Sequence, residues 1–302
     1  MPSDSPLSRR ALLSGAAVLG AQTLARAADQ KSLKVSIFSK HLQFLHGEEL
    51  AACAAEIGFD GIDITVRKGG HVAPERARQE LPKLVGIIRK QGLEVPMITT
   101  DIVDSESPFA ADIIETMAEL GIRRYRWGGF KYHANAPIAE QLDRLKPRVA
   151  KLAALNAKHK VAAMYHTHSG VNQVGASIWD LHILLNGLDP ATVGVNYDIG
   201  HAVIEGGLGG WIHSFRITGS HLLGVAVKDF VWAKDASGKW RTEWTPLGQG
   251  MAPLAQFFQM LTAVRFSGPL QLHLEYPIGS RRDEVVAVMK RDLQQTRALL
   301  VR

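Results

Sequence analysis

From position 33 onward, short apolar runs alternate with longer segments in which apolar residues recur every three or four positions. The short runs are rich in β-branched and aromatic residues and predict strands, whereas the longer segments have the period of amphipathic helices. The candidate strands span 33–39, 61–66, 94–100, 123–128, 160–166, 192–198, 223–229 and 270–275. The pattern is therefore a strand followed by a helix, repeated eight times.

Eight such repeats, each of roughly 34 residues, predict an α/β protein in which a parallel sheet closes into a single-domain (β/α)8 TIM barrel. The alternative is an open, doubly wound sheet. No glycine-rich dinucleotide fingerprint follows the first candidate strand, which favours the closed barrel. In such a barrel the active site lies at the carboxyl ends of the strands.

The first residues have the order of an export signal. Arg9 and Arg10 precede an apolar stretch that runs to about position 25, and Ala25-Arg26-Ala27 offers a small-x-small cleavage site. We therefore expect a twin-arginine-type signal peptide at 1–27 and the barrel at 28–302, and a periplasmic or secreted protein. An amphipathic first helix or an ordinary Sec signal is the alternative. The apolar stretch is shorter than the roughly 20 residues that span a bilayer, so no stable membrane anchor is expected after cleavage.

Charge and cysteine content exclude some classes of protein. The net charge of +6 falls to +4 without residues 1–27, because three arginines and one aspartate are removed. No run of like charges is interleaved with aromatic residues, so nucleic acid is not expected as a partner. The single cysteine, Cys53, cannot form an internal disulfide and fits a small buried side chain in a helix.

Polar residues collect where the candidate strands end. Alternation along each strand places some of them on a common face. The set comprises Asp63, Thr65 and Arg67, then His166 and His168, then Asp198, then Lys228, and finally His273 and Glu275. Any one of them could be a helix cap or a hydrogen-bonded core residue. Because the carboxyl ends of parallel strands meet at one rim, the whole set predicts an active site.

Six motifs carry a resemblance to a known family. They are GFDGIDI after the first helix, YHTH on strand five, YDIGH on strand six, VKDF on strand seven, PLGQG in the following loop and HLEYP on strand eight. With these motifs the chain resembles, over residues 33–302, the xylose-isomerase-like TIM barrels, a broad group of sugar isomerases, epimerases and inosose dehydratases.

The resemblance implies a divalent metal ion, held in this group by a Glu, an Asp, a His and a Glu from strands five to eight. Asp198 and Glu275 match this pattern. Strand seven has Ala226 where the histidine is usual, and strand five offers His166 or His168 in place of the glutamate. His166, Asp198 and Glu275 are therefore the expected ligands of Mn, Zn, Mg or Co. A metal-free site that works through Lys228 and Glu275 is the alternative.

The resemblance also implies proton abstraction next to a carbonyl, with a cation stabilising the enediolate. Glu275 would be the base, Lys228 would stabilise the oxyanion, and His201 would bind a sugar hydroxyl or carry a proton. Alternatively, Glu275 would be only a metal ligand, Lys228 only an ion-pair partner of a carboxylate, and His201 only a cap of the following segment. The expected substrate-binding residues are Lys40, Arg67, His168 and Trp232, with His41, His71, Arg126 and Lys131 as further candidates.

The sequence thus predicts a sugar isomerase or epimerase that acts on a non-phosphorylated sugar or keto-sugar, because sugar phosphates are kept in the cytoplasm. A lyase or hydratase that acts on 3-keto-glycosides or inososes by β-elimination is the first alternative, since elimination needs the same base and oxyanion stabiliser. A sugar-binding protein on an inactivated barrel is the second. The expected partner is a small carbohydrate, and a homo-oligomer is compatible with the sequence.

Overall fold

A parallel barrel of eight strands forms the centre of the protein. The computed structural model describes residues 33–301, so the predicted signal peptide at 1–27 lies outside the described residues. The barrel strands are β1 Val35–Phe38, β2 Gly61–Val66, β3 Ile98–Thr100, β4 Arg124–Trp127, β5 Ala162–His166, β6 Val193–Asp198, β7 Leu222–Val227 and β10 Leu270–Leu272. Their closed order is β1-β10-β7-β6-β5-β4-β3-β2. The predicted single-domain (β/α)8 barrel is confirmed, and the open sheet is excluded.

Helices surround the barrel in the described part of the chain. They are α1 Gly47–Ile57, α2 Ala77–Lys90, α3 Ala110–Glu119, α4 Ile138–His159, α5 Ile178–Leu185, α6 Ile199–Gly206, α7 Gly210–Thr218, α8 Leu254–Ala263 and α9 Arg282–Leu300. α1 ends where Gly58 adopts φ 99°, a left-handed conformation that suits glycine. None of the helices in residues 33–301 combines the length and the apolar character that crossing a bilayer requires.

The parallel register brings the strand ends to one rim. Ile37 of β1 pairs with Leu272 of β10 on one side and with Ile62 of β2 on the other. Along the other arc, Asp198 of β6 pairs with Ala226 of β7. Consequently the residues that follow each strand open onto the same end of the barrel, where catalytic residues of this architecture gather.

A two-stranded antiparallel hairpin follows β7 and was not among the predicted elements. It consists of β8 Asp229–Lys234 and β9 Trp240–Thr245. Its turn is organised by Asp235, whose carboxylate accepts hydrogen bonds from the backbone N–H groups of Ser237 and Lys239. The hairpin interrupts the strand–helix repeat and adds one pair of strands, with six residue pairs, after β7.

The carboxylate of Asp229 attaches the hairpin and the following loop to the end of β7. It accepts backbone hydrogen bonds from Gly248 at 3.0 Å and from Gly250 and Ala252 at 2.9 Å, in addition to that of Phe230. A Cβ at Gly250 would overlap with this carboxylate, so the position requires glycine. The VKDF and PLGQG motifs therefore form one structural unit.

Candidate active site

The Asp-Ile-Gly-His element joins the end of β6 to the start of α6. Asp198 is the N-cap of α6, and its Oδ1 accepts a hydrogen bond from the backbone N–H of His201 at 3.1 Å. A Cβ at Gly200 would lie only 2.8 Å from Cγ of Lys228, so glycine permits the close approach of helix and lysine. One carboxylate oxygen of Asp198 thus caps the helix, while Oδ2 faces the barrel centre.

Lys228 is buried beside this oxygen. Its Nζ lies 3.1 Å from Oδ2 of Asp198, 2.9 Å from Nε2 of His201 and 4.4 Å from the ring centroid of Trp244. Burial raises the pKa of Asp198, but the opposing effect of Lys228, with smaller effects of His201 and His273, brings it below its ordinary value. Asp198 is therefore ionised and compensates the ammonium group, which would otherwise be costly to bury.

These contacts define the tautomer of His201. An ammonium group can only donate hydrogen bonds, so Nε2 of His201 accepts from Lys228. The ring proton is then on Nδ1, which donates to Oγ of Ser169 at 2.8 Å. Burial lowers the pKa of His201 to about 4, and the ring is neutral at neutral pH. Lys228, His201 and Ser169 form a hydrogen-bonded chain from the buried ammonium toward the barrel mouth.

Three further imidazoles lie close to this chain. Burial lowers the pKa of His168 to about 3 and holds those of His166 and His273 well below the ordinary value. The charge of Lys228 acts in the same direction on all three, and that of Arg126 on His166 and His168. The rings of His166 and His273 are stacked, with centroids 5.2 Å apart. The centre of the site therefore contains neutral imidazoles, each with one nitrogen lone pair that can accept a hydrogen bond or bind a metal ion.

Three of these side chains offer donor atoms that could hold a metal ion. The ligand atoms of His166, Asp198 and His273 lie within 4.8 Å of one another. Within the described residues, Oδ2 of Asp198 and both ring nitrogens of His273 are buried without a hydrogen-bond partner of ordinary geometry. Two neutral imidazoles and one carboxylate suit Mn, Co or Zn better than the oxygen-preferring Mg. The donor set therefore fits a divalent ion, which would share Asp198 with Lys228.

The surroundings of His166 set one condition on such an ion. Its Nδ1 lies 3.0 Å from the amide nitrogen Nδ2 of Asn196, and its Nε2 lies 3.4 Å from Oδ2 of Asp198. Coordination through Nε2 requires the ring proton on Nδ1, and therefore the amide oxygen of Asn196 as its acceptor. In the structure the amide nitrogen faces His166 and also donates to Oε1 of Gln271 at 3.1 Å, so the amide would have to turn over; its oxygen has no hydrogen-bond partner in residues 33–301.

Glu275, the third ligand expected from the resemblance, is not part of this donor group. Its Oε2 lies 3.0 Å from Nζ of Lys40. Burial raises the pKa of Glu275, but Lys228, His41 and Lys40 together lower it below the ordinary value. The structure thus places an ionised carboxylate at the side of the site, and His273, two residues earlier, occupies the position next to Asp198.

A cavity of about 250 Å³ opens above these groups at the carboxyl ends of the strands. Its lining is almost entirely polar or aromatic. It comprises Phe38, Lys40, Arg67, Arg126, His166, His168, His201, Lys228, Trp244, His273 and Glu275. Asp198 lies beneath this surface, in contact with Lys228. The structure therefore brings together the predicted catalytic, metal-binding and substrate-binding residues except Trp232; of the further candidates, Arg126 lines the cavity, whereas His41, His71 and Lys131 do not.

Trp232 lies on the hairpin outside the cavity, with 42% of its surface exposed, and Trp244 lines the cavity in its place. The two strands of the hairpin run antiparallel, and Trp244 pairs with Phe230 at the base of β8. Trp244 therefore returns to the rim, whereas Trp232 lies two residues further along the hairpin, opposite Thr242. Sequence reasoning chose Trp232 because it follows the strand-seven motif. The alternating run that ends at Trp244, preceded by a glycine-containing turn, was the signal for the hairpin.

Comparison with known proteins places the chain in a family. A family model described as xylose isomerase-like TIM barrel matches residues 51–298. No curated protein sequence shows a significant match. A D-psicose 3-epimerase from Clostridium cellulolyticum H10, solved with D-tagatose, superposes with a TM-score of 0.67 at 13% identity, over 89% of this chain and 99% of the epimerase.

Two other solved structures share the fold. A 3-keto-D-glucoside 4-epimerase from E. coli has a TM-score of 0.65 at 15% identity, over 88% of this chain and 99% of its own. The probable 3-DHS dehydratase of petrobactin synthesis from Bacillus anthracis has a TM-score of 0.61 at 20% identity, over 85% and 98%. At 13–20% identity, these structural similarities establish only a shared fold. The family model, in contrast, matches most of the chain. The chain belongs to the xylose isomerase-like TIM barrel family.

Proposed function

We propose that the protein is a sugar isomerase or epimerase that removes a proton from a carbon next to a carbonyl group. One observation carries the proposal: a single cavity contains an ionised carboxylate, Glu275, opposite a buried ammonium group, Lys228, that is hydrogen-bonded to a neutral imidazole, His201. A base together with a positive charge for the developing enediolate is what this chemistry requires.

Glu275 acts as the base in this proposal. Its lowered pKa keeps it ionised at neutral pH, so it can accept a proton. The contact with Lys40 orients the carboxylate, and the side chain is 23% exposed, so it can reach a substrate in the cavity. Lys40 then helps to bind the substrate as well as to position the base.

Lys228 supplies positive charge to the substrate oxygen and a proton to the intermediate. Its Nζ already contacts Asp198 and His201, so its position is fixed before the substrate binds. Lys228 regains this proton from the enediol as the product carbonyl forms, and Glu275 returns the abstracted proton to carbon; His201, whose Nε2 carries no proton, holds the lysine in position. His166, Asp198 and His273 would hold a divalent ion, which would act as a Lewis acid on the carbonyl oxygen.

β-Elimination is the second candidate reaction. The Lys228–His201 pair places a proton donor in the same cavity as the Glu275 base, and expulsion of a hydroxyl or glycosidic oxygen needs both. This pair favours a lyase or dehydratase that acts on a 3-keto-glycoside or an inosose. In either case we propose export by the twin-arginine route, which makes the substrate a non-phosphorylated carbohydrate.

The reaction is tested by incubating the metal-supplemented protein in D2O with a panel of aldoses, ketoses and 3-keto-glycosides and following the C–H signals by NMR. Deuterium incorporation next to the carbonyl, with or without a new epimer, supports the isomerase. Release of an aglycone or of water identifies the lyase. Sugar binding without any exchange contradicts both and leaves a binding protein.

Matched variants connect the reaction to the cavity. Glu275→Gln should abolish exchange, because the amide cannot accept the proton. Glu94→Gln is the control, since Glu94 forms the same type of ion pair with Lys34 on the surface, away from the cavity. Equal activity of Glu275→Gln and wild type would remove Glu275 as the base.

A further inference from the structure

Two arginines form one wall of the cavity without carboxylate partners. Arg67 follows β2 and Arg126 lies on β4, and their Cζ atoms are 5.5 Å and 5.9 Å from the ring centroid of Phe38. Both line the cavity. Within residues 33–301, neither forms an ion pair with an aspartate or a glutamate, although the other two cavity cations do. Half-buried guanidinium groups without a counter-charge are suited to an anionic ligand.

The charges around the cavity do not balance. Lys40 is paired with Glu275 and Lys228 with Asp198, which leaves the charges of the two arginines. The nearest remaining acid is Asp63, which lies beneath them and accepts from Oγ1 of Thr99 with both oxygens, at 3.0 and 2.8 Å. Burial raises the pKa of Asp63 to about 7, against the opposing effects of Thr99 and the arginines. One to two positive charges therefore remain uncompensated at neutral pH.

The wall is also oriented for a ligand. Nη2 of Arg126 donates to Nε2 of the neutral His168 at 3.3 Å, which fixes one edge of the guanidinium group. Phe38 lies beneath both arginines and supports their planes. Part of each guanidinium fork thus remains directed into the cavity, at a fixed position relative to Glu275 and Lys228.

We propose that the substrate carries a carboxylate, so that the enzyme acts on a sugar acid whose carboxylate binds between Arg67 and Arg126. This inference rests on the proposed function and specifies its substrate class. A planar monoanion matches the geometry of the guanidinium fork and the one to two positive charges that the site leaves over. A neutral sugar would leave these charges unpaired, and a sugar phosphate does not fit the proposed export, because sugar phosphates are kept in the cytoplasm.

Binding is measured by isothermal titration with matched probes that differ only at C6: D-glucose against D-glucuronate, and D-galactose against D-galacturonate. D-Glucose 6-phosphate is included as a dianion. We expect at least one uronate to bind about tenfold or more tightly than its neutral partner, and the difference to shrink as salt is raised. Tighter binding of the neutral sugars or of the phosphate, or no uronate binding up to about 10 mM, would overturn the proposal.

Variants assign the effect to the arginine wall. Arg67→Ala and Arg126→Ala should each weaken uronate binding by about 10- to 100-fold and change that of a neutral sugar by less than about threefold. Arg126→Lys keeps the charge but loses the fork and should be intermediate. The control is Arg124→Ala, because Arg124 is also partly buried on the same strand but does not line the cavity. Equal effects of the Arg124 and Arg126 variants would contradict the proposal.

The two proposals fail separately. Uronate binding that depends on the arginines, without deuterium exchange of any bound acid, would contradict the isomerase and lyase reactions but retain the carboxylate site. Exchange of neutral sugars, together with uronate binding that is unaffected by Arg67→Ala, would retain the reaction and overturn the carboxylate site.

Discussion

Nζ of Lys228 lies 3.1 Å from Oδ2 of Asp198, and both side chains are almost completely buried at the centre of the barrel mouth. The same Asp198 oxygen is the one that a metal ion held by His166 and His273 would use. Lys228 therefore contributes a fixed positive charge where strand seven, with Ala226, offers no metal ligand.

Replacement of Lys228 by alanine should slow turnover by about 10²- to 10⁴-fold, the range of a group that acts on the transition state. Bound metal, measured by plasma mass spectrometry, should not decrease. Lys234→Ala is a matched control, since Lys234 lies over Trp240 on the outer end of the hairpin as Lys228 lies over Trp244. Full activity of Lys228→Ala would refute its assignment.

Two substitutions at Asp198 separate its roles. Asp198→Ala removes the cap of α6 and leaves Lys228 without its counter-charge, at a cost of about 3–5 kcal/mol in the free energy of unfolding. Asp198→Asn keeps an oxygen for the cap and should recover part of this stability, as measured by urea unfolding. Both variants should lose metal. If wild type still turns over substrate after exhaustive chelation, the oxyanion is stabilised by Lys228 and not by a metal.

Gly200→Ala should impair the site more than the fold. The new Cβ would lie 2.8 Å from Cγ of Lys228 and displace that side chain from Asp198. We expect kcat to fall by about tenfold or more, as a shift of the order of 1 Å in a catalytic group can cause. Gly86→Ala in α2 meets no atom within 4 Å and should leave activity intact while stabilising the helix by about 0.5–1 kcal/mol. Identical kinetics of the two variants would argue against the close approach.

We predict that the buried imidazole of His41 makes the folded protein less stable in acid. Its Nε2 accepts the backbone N–H of Leu274 at 3.0 Å, and burial lowers its pKa to about 4. Because the folded pKa lies below the ordinary 6.5, the contribution is fully present above pH 6.5 and is lost as pH falls through about 4. The melting temperature should therefore decrease over this interval. His41→Gln should weaken the dependence and His213→Gln, on an exposed helix face, should not; an unchanged slope for His41→Gln would exclude this origin.

Export is tested at the paired arginines. Arg9→Lys together with Arg10→Lys should leave precursor in the cytoplasm, because the translocase recognises the guanidinium pair. Cell fractionation and sequencing of the mature N-terminus measure this. Normal processing of the double variant, or a mature protein that retains Arg9, would contradict the twin-arginine route.

The barrel was predictable because its strands have a local signal. A parallel strand buried on both faces is a short, nearly continuous apolar run, as in Val193–Asp198, and the polar residue that ends it is conspicuous. Alternation then placed Asp198, Lys228 and Glu275 at one rim. These features depend only on residues that are close in sequence, so they can be recognised without the three-dimensional structure.

The exact contacts depend on tertiary geometry. Alternation puts His273 and Glu275 on the same face, but it does not show that His273 lies beside Asp198 while Glu275 turns toward Lys40. Likewise, whether Trp232 or Trp244 reaches the cavity is decided by the register of an antiparallel hairpin. Such choices follow from distances between segments far apart in sequence, which periodicity does not contain.

The attachment of the hairpin through Asp229 has an evolutionary consequence. Four backbone N–H groups converge on this one carboxylate, so the anchorage depends on main-chain atoms and on the room provided by Gly250, and hardly on the intervening side chains. Residues 230–247 can then diverge, lengthen or be exchanged without disturbing the closure of the barrel. This segment contributes Trp244 to the cavity lining. Changes in it can therefore alter substrate selectivity while the reacting groups on the barrel strands stay the same.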